Sequence, residues 1–72
     1  MDENQLELDQ SLNILMDMYN KAKKNKQLSF EVDSIFFDGL NTLEHVQYFL
    51  KAVRYDVTVD YGLTITFTFR SH

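Results

Sequence analysis

Two histidines, a run of lysines and a scatter of carboxylates are the residues of this sequence that could do chemistry. His45 follows Glu44, and His72 is the last residue. An imidazole works as a general base only beside a positioned substrate and an orienting partner. No nucleophile motif accompanies His45, so the sequence predicts a surface or rim histidine, and His72 carries no inference. Cysteine is absent, which removes disulfides, thiolate metal sites and cysteine nucleophiles together. Two imidazoles alone do not build a zinc cluster. The carboxylates Glu31, Asp33, Asp38, Asp56 and Asp60 match no Ca²⁺-loop spacing, and the stretch from Asp33 to Asp38 has apolar residues where ligands should stand. No Walker loop, dinucleotide fingerprint, nucleophile elbow or metalloprotease helix is present. The chain is therefore expected to be no enzyme, with no catalytic residue, cofactor or metal.

Binding chemistry has three candidates. Lys21, Lys23, Lys24 and Lys26 form the one basic patch and could grip phosphates. They also stand where a helix ends, and cations there answer the dipole. The six Phe and four Tyr could stack bases, as on small RNA-binding sheets. Phe30, Tyr55, Phe67 and Phe69, however, fall on the sheet face that must pack against helices, and threonines occupy the other. Tyr61, at the tip of a hairpin, is the ring expected to be exposed and a candidate contact. An acidic sheet face could also imitate nucleic-acid phosphates and block a nucleic-acid enzyme, although the charges are too mixed to favour it.

These residues must be positioned by a very small body. Seventy-two residues make one domain, expected to span 1–72, and a chain of that size buries only about 60% of its unfolded surface. Seven Lys and Arg against eleven Asp and Glu give −4, which argues against general affinity for phosphate backbones. No apolar run approaches the about 20 residues of a membrane span, and no signal-peptide pattern opens the chain. A cytoplasmic protein is expected.

Periodicity divides the chain into five elements. Leu8, Leu12, Leu15, Tyr19 and Ala22 recur at steps of three and four, predicting a helix from about Asn4 to Asn25. Ile14, Met16 and Met18 widen its apolar stripe. Asp2 and Asn4 are candidate N-caps, and Asn25 a left-handed stop. From Gln27, Leu28, Phe30 and Val32 alternate with polar residues as in a half-buried strand. Ile35 and Phe37 then break phase. Either a bulge near Asp33 and Ser34 restores it, or the strand ends early and Phe36 and Phe37 fold over a core edge. Asn41 to Glu44 reads as a capping box with Leu40 as a staple, followed by a stripe of Leu43, Val46, Phe49, Leu50 and Val53 to about Ala52 or Val53.

The last element is a hairpin. Val59 to Gly62 fits a type I turn with Gly62 in a left-handed bulge position. Counting outward pairs Val59 with Leu63, Val57 with Ile65, Tyr55 with Phe67 and Val53 with Phe69, all apolar. The other face pairs Thr58 with Thr64, Asp56 with Thr66 and Arg54 with Thr68. A right-handed crossover makes the first two strands parallel in direction, and the third strand, Leu63 to Arg70, satisfies both edges by lying between them. The expected fold is an α+β two-layer sandwich, order α-β-α-β-β. Its three-stranded antiparallel sheet has order 1-3-2, with both helices on one face.

Sizes then point to association. Three strands span about 14 Å, while two helices side by side need about 20 Å. The stripe through Ile14 and Met18 should stay partly uncovered. The expectation is a small non-enzymatic interaction or regulatory module, homodimeric through the first helix with Ile14 and Met18 at the centre, or docking another protein there. Nucleic-acid binding through Lys21, Lys23, Lys24 and Lys26 is the alternative; no membrane partner is expected.

Overall fold

The computed structural model describes residues 3–70; Asp2 and His72 lie outside them. In chain order the elements are α1 (Glu3–Lys24), β1 (Ser29–Asp33), a short 3₁₀ helix η1 (Ser34–Phe37), α2 (Thr42–Ala52), β2 (Val57–Asp60) and β3 (Thr64–Phe69). The sheet has order β1-β3-β2, and β3 is antiparallel to both neighbours. Both helices cover the same face of this sheet, because its inward residues share one core with them. Phe30, Val32, Val57, Ile65 and Phe67 meet Leu15 and Tyr19 of α1 and Val46, Phe49 and Leu50 of α2. This is the α+β two-layer arrangement that the periodicity predicts.

α1 forms where the apolar steps require it, burying Leu8, Ser11, Leu15, Tyr19 and Ala22. Its stop differs from expectation. Lys26, not Asn25, takes the left-handed conformation at φ 57°. Gln27 N–H donates to Ala22 C=O at 2.9 Å and Lys26 N–H to Lys23 C=O at 3.1 Å, the paired bonds of a Schellman motif. α2 closes the same way, with Tyr55 N–H on Leu50 C=O at 2.8 Å and Arg54 N–H on Lys51 C=O at 3.1 Å. At its other end the Asn41 side chain accepts from Glu44 N–H at 3.2 Å, as the capping box requires.

Of the two ways to resolve the broken phase after Val32, the chain takes the second. β1 stops at Asp33, whose carboxylate accepts from Ile35 N–H at 3.1 Å and caps η1. One 3₁₀ turn sends Phe37 into the core and leaves Ile35 71% exposed.

The hairpin register departs from the predicted one. Val57 pairs with Phe69, Thr58 with Thr68, Val59 with Phe67 and Asp60 with Thr66. Each β2 residue therefore meets a partner four positions further along β3 than expected. The cause lies before β2, where Arg54 and Tyr55 are both left-handed, at φ 54° and 57°. That turn takes Tyr55 out of the sheet into solvent, and Val53 becomes the buried cap residue of α2 instead of a strand residue. The hairpin loop lengthens to match, and Gly62 is not at positive φ. Leu63 consequently points to solvent, 92% exposed, where an inward partner of Val59 was expected. The inward face survives because four is an even shift, and side chains alternate with period two.

An aromatic cluster runs through the core. Phe30 and Phe67 stack across β1 and β3 at 5.1 Å between ring centroids, and Phe49 meets Phe67 edge-on at 5.1 Å. Tyr19 closes the cluster against Phe30, Phe49 and Phe69. Pairs of this geometry are worth about 0.5–1.5 kcal/mol beyond their buried area.

The two glycines should separate in a mutational test. Gly39 sits at φ +78° with open space where a Cβ would go, while a Cβ on Gly62 would meet only Thr64 C=O, at an ordinary 3.4 Å. Gly39→Ala should cost about 1 kcal/mol from left-handed strain, and Gly62→Ala less than about 0.5 kcal/mol, measured by urea denaturation. Ile65 and Leu63 provide a second contrast. Ile65→Thr should cost about 2–3 kcal/mol through lost burial and an unpaired hydroxyl, whereas Leu63→Thr should leave stability within about 0.5 kcal/mol.

Candidate interaction surface

α1 is longer than the sheet it covers, and its side facing η1 is incompletely buried. Glu7, Gln10, Ser11 and Ile14 of α1 face Phe36 and Leu40 across an open cleft of about 190 Å³. That is below the about 300 Å³ at which small-molecule sites begin, and about the size that accepts one side chain. Ile14 is 50% exposed beside it. Met18, one turn on, is half-buried and packs against the core. The two residues expected at the centre of a contact thus differ: Ile14 faces solvent, and Met18 is partly buried against the core.

Behind the cleft lies a contact that the sequence did not announce. His45 is 2% exposed instead of lying on the surface, because α2 turns it inward with Val46 and Phe49. Its Nδ1 is 2.6 Å from Ser11 Oγ, and Ser11 Oγ also donates to Leu8 C=O at 3.1 Å. Donor and acceptor in this contact follow the imidazole tautomer: Nδ1–H donates when the hydroxyl proton goes to Leu8, and Nδ1 accepts when that proton turns to the ring. In either arrangement the bond ties α1 to α2. The available signal was periodicity. Ser11 and His45 each occupy a position where the 3.6-residue repeat requires a core residue, and two such polar residues on neighbouring helices satisfy each other.

The helices are also joined in solvent. Tyr48 Oη donates to Asp9 at 2.8 Å and accepts from Gln5 at 2.8 Å. At the far end of α1, Lys23 Nζ lies 3.1 Å from Asp56 and 3.0 Å from Tyr19 Oη, and 5.1 Å from the Tyr19 ring centroid. The Tyr19 and Asp56 hydrogen bonds raise the Lys23 pKa above its ordinary value. Lys21 pairs with Asp17 one turn earlier at 3.1 Å. Two of the four lysines are thus engaged by carboxylates, while Lys24 and Lys26 extend from the helix end.

Tyr61 stands at the hairpin tip, 46% exposed, with partial burial raising its phenol pKa. Ser34 N–H donates to Leu63 C=O at 3.2 Å, which ties the hairpin to the start of η1 and sets Leu63 near Ile35. Among the described residues no three His, Cys, Asp or Glu groups converge as metal ligands, and no helix is long and apolar enough to cross a membrane. The chain matches no family model, no curated protein and no solved structure.

Ser11→Ala tests the clamp. Removing the hydroxyl leaves His45 Nδ1 buried without this partner, and thermal or urea unfolding should register a loss of about 1–3 kcal/mol. A neutral result would mean that water reaches the imidazole.

Proposed function

We propose that this chain is a protein-interaction module without catalytic chemistry, and that it works as a homodimer joined through α1. The observation that carries the reading is Ile14, a large apolar side chain half in solvent near the middle of α1 and beside an apolar-lined cleft. A two-fold contact repeats one patch on both copies, so the side chain of one Ile14 has the cleft beside the other to enter.

Charge supports an antiparallel arrangement. Glu7 and Lys21 lie two turns to either side of Ile14 on the same face of α1, about 10 Å from it along the axis. Antiparallel packing about Ile14 brings the Glu7 of each copy to the Lys21 of the other. Parallel packing would oppose like charges instead. Met18 flanks this centre rather than forming it. Nucleic-acid binding through Lys21, Lys23, Lys24 and Lys26 has less support, because Asp17 and Asp56 already engage two of the four.

Sedimentation equilibrium in about 0.5 M salt should give twice the chain mass at micromolar concentration. At that salt Ile14→Glu, which places two carboxylates together at the centre, should give a folded monomer, since Ile14 contributes little to the core. Burial of the exposed half of each Ile14 is worth about 1 kcal/mol, so dimer affinity should fall by at least about tenfold. A wild-type chain that stays monomeric at high micromolar concentration would overturn the dimer.

A further inference from the structure

The charged residues are sorted along the sheet axis. All seven Lys and Arg lie in the last turn of α1 or just after it, at the close of α2, or after β3. These points share one end of the molecule, where β1 and β2 begin and β3 finishes. At the opposite end, β1 closes on Asp33, β2 on Asp60, η1 is followed by Asp38, and α2 begins with Glu44 in its first turn. No Lys or Arg of the chain stands there. Asp56 and Asp17 are the acids beside the basic end, and Lys23 and Lys21 bind them.

Each end also presents apolar side chains to water. Leu63, at 92%, and Leu28, at 83%, are the most exposed large apolar residues described, and they stand at opposite ends. Leu63 projects from the acidic end, with Ile35 beside it. Leu28 projects from the basic end, where its carbonyl accepts from Phe69 N–H. Tyr55 is exposed at that same end, and its carbonyl accepts from Arg70 Nε at 2.7 Å.

We propose that the acidic end of one copy, through Leu63 and Ile35, docks on the basic end of a second copy around Leu28 and Tyr55. The occupant is a second copy because the chain itself carries the complement: apolar projections within a rim of opposite charge. Asp33, Asp38 and Asp60 of one molecule meet Lys26, Arg54 and Arg70 of the next. Such a contact is heterologous, so it leaves one free end of each kind and adds further copies. Ile14 and Met18 take no part in it, which makes it independent of the α1 dimer.

The experiment is run on the full chain carrying Ile14→Glu, which removes the α1 contact. By sedimentation velocity at high micromolar concentration, this protein should form species heavier than a monomer in about 20 mM salt and return to monomer in about 0.5 M salt, where ion pairs are screened. Adding Leu63→Lys or Leu28→Glu should abolish the heavier species, since each puts a repelling charge in the junction. Both positions are exposed, and circular dichroism would confirm that the variants fold. Mixed in equal amounts, the two variants should recover species of at least twice the chain mass, because each contributes one intact end. The proposal is overturned if the Ile14→Glu protein is monomeric at both salts, which would leave the acidic end to a cationic partner of another kind. It is equally overturned if the heavier species survive high salt or either added substitution, or if the mixture stays monomeric.

Discussion

β1 and β2 never touch; each is hydrogen-bonded to β3, and the sheet exists only through the six residues from Thr64 to Phe69. That pairing on both sides is the constraint from which the remaining architecture follows. Ile65 and Phe67 must face the helices, since they stand opposite Val32 and Phe30 on one side while Phe67 also meets Val59 on the other. The threonines between them must then face away. Antiparallel pairing on both sides also makes β1 and β2 run in the same direction, so α2 has to carry the chain back over the sheet. α1, outside this circuit, is left to cover what remains. Its greater length is why one side of it is unfinished.

Much of this was legible in the residues. The alternation of Ile65, Phe67 and Phe69 with threonines identifies both the strand and its inward face, and the steps from Leu8 to Ala22 define α1 to within a residue or so. What failed was counting through places where backbone conformation, rather than hydrophobicity, decides. Gly62 suggested a tight turn because glycine tolerates positive φ, yet the left-handed residues besides Gly39 are Lys26, Arg54 and Tyr55, which no residue preference announces. Two of them in succession before β2 moved the ladder by four residues. The candidate surface was half legible. An over-wide stripe on α1 left Ile14 half in solvent and Met18 partly buried against the core, and the buried pairing of Ser11 with His45 could be recognised only by treating both as members of their stripes.

The left-handed residues also connect conformation with charge. Lys26 and Arg54 both fill Schellman positions where glycine would avoid a steric cost of about 1 kcal/mol. Each instead adds a cation to the end where the α1 and α2 dipoles are negative. The electrostatic polarity of the molecule is therefore written into its helix caps, not scattered over its surface.

The order of the strands has a consequence for how the protein comes into being. Thr64 lies 31 residues after its partner Asp33, and Thr68 lies 39 after Ser29. Translation at about 5–20 residues per second therefore leaves β1 with nothing to pair with for about 2–8 s. Local helical turns can form as they emerge; the sheet cannot until its central strand, which follows both of its neighbours in the chain, has emerged. A chain truncated before Thr64 would leave two unpaired strands and an amphipathic helix exposed to aggregation.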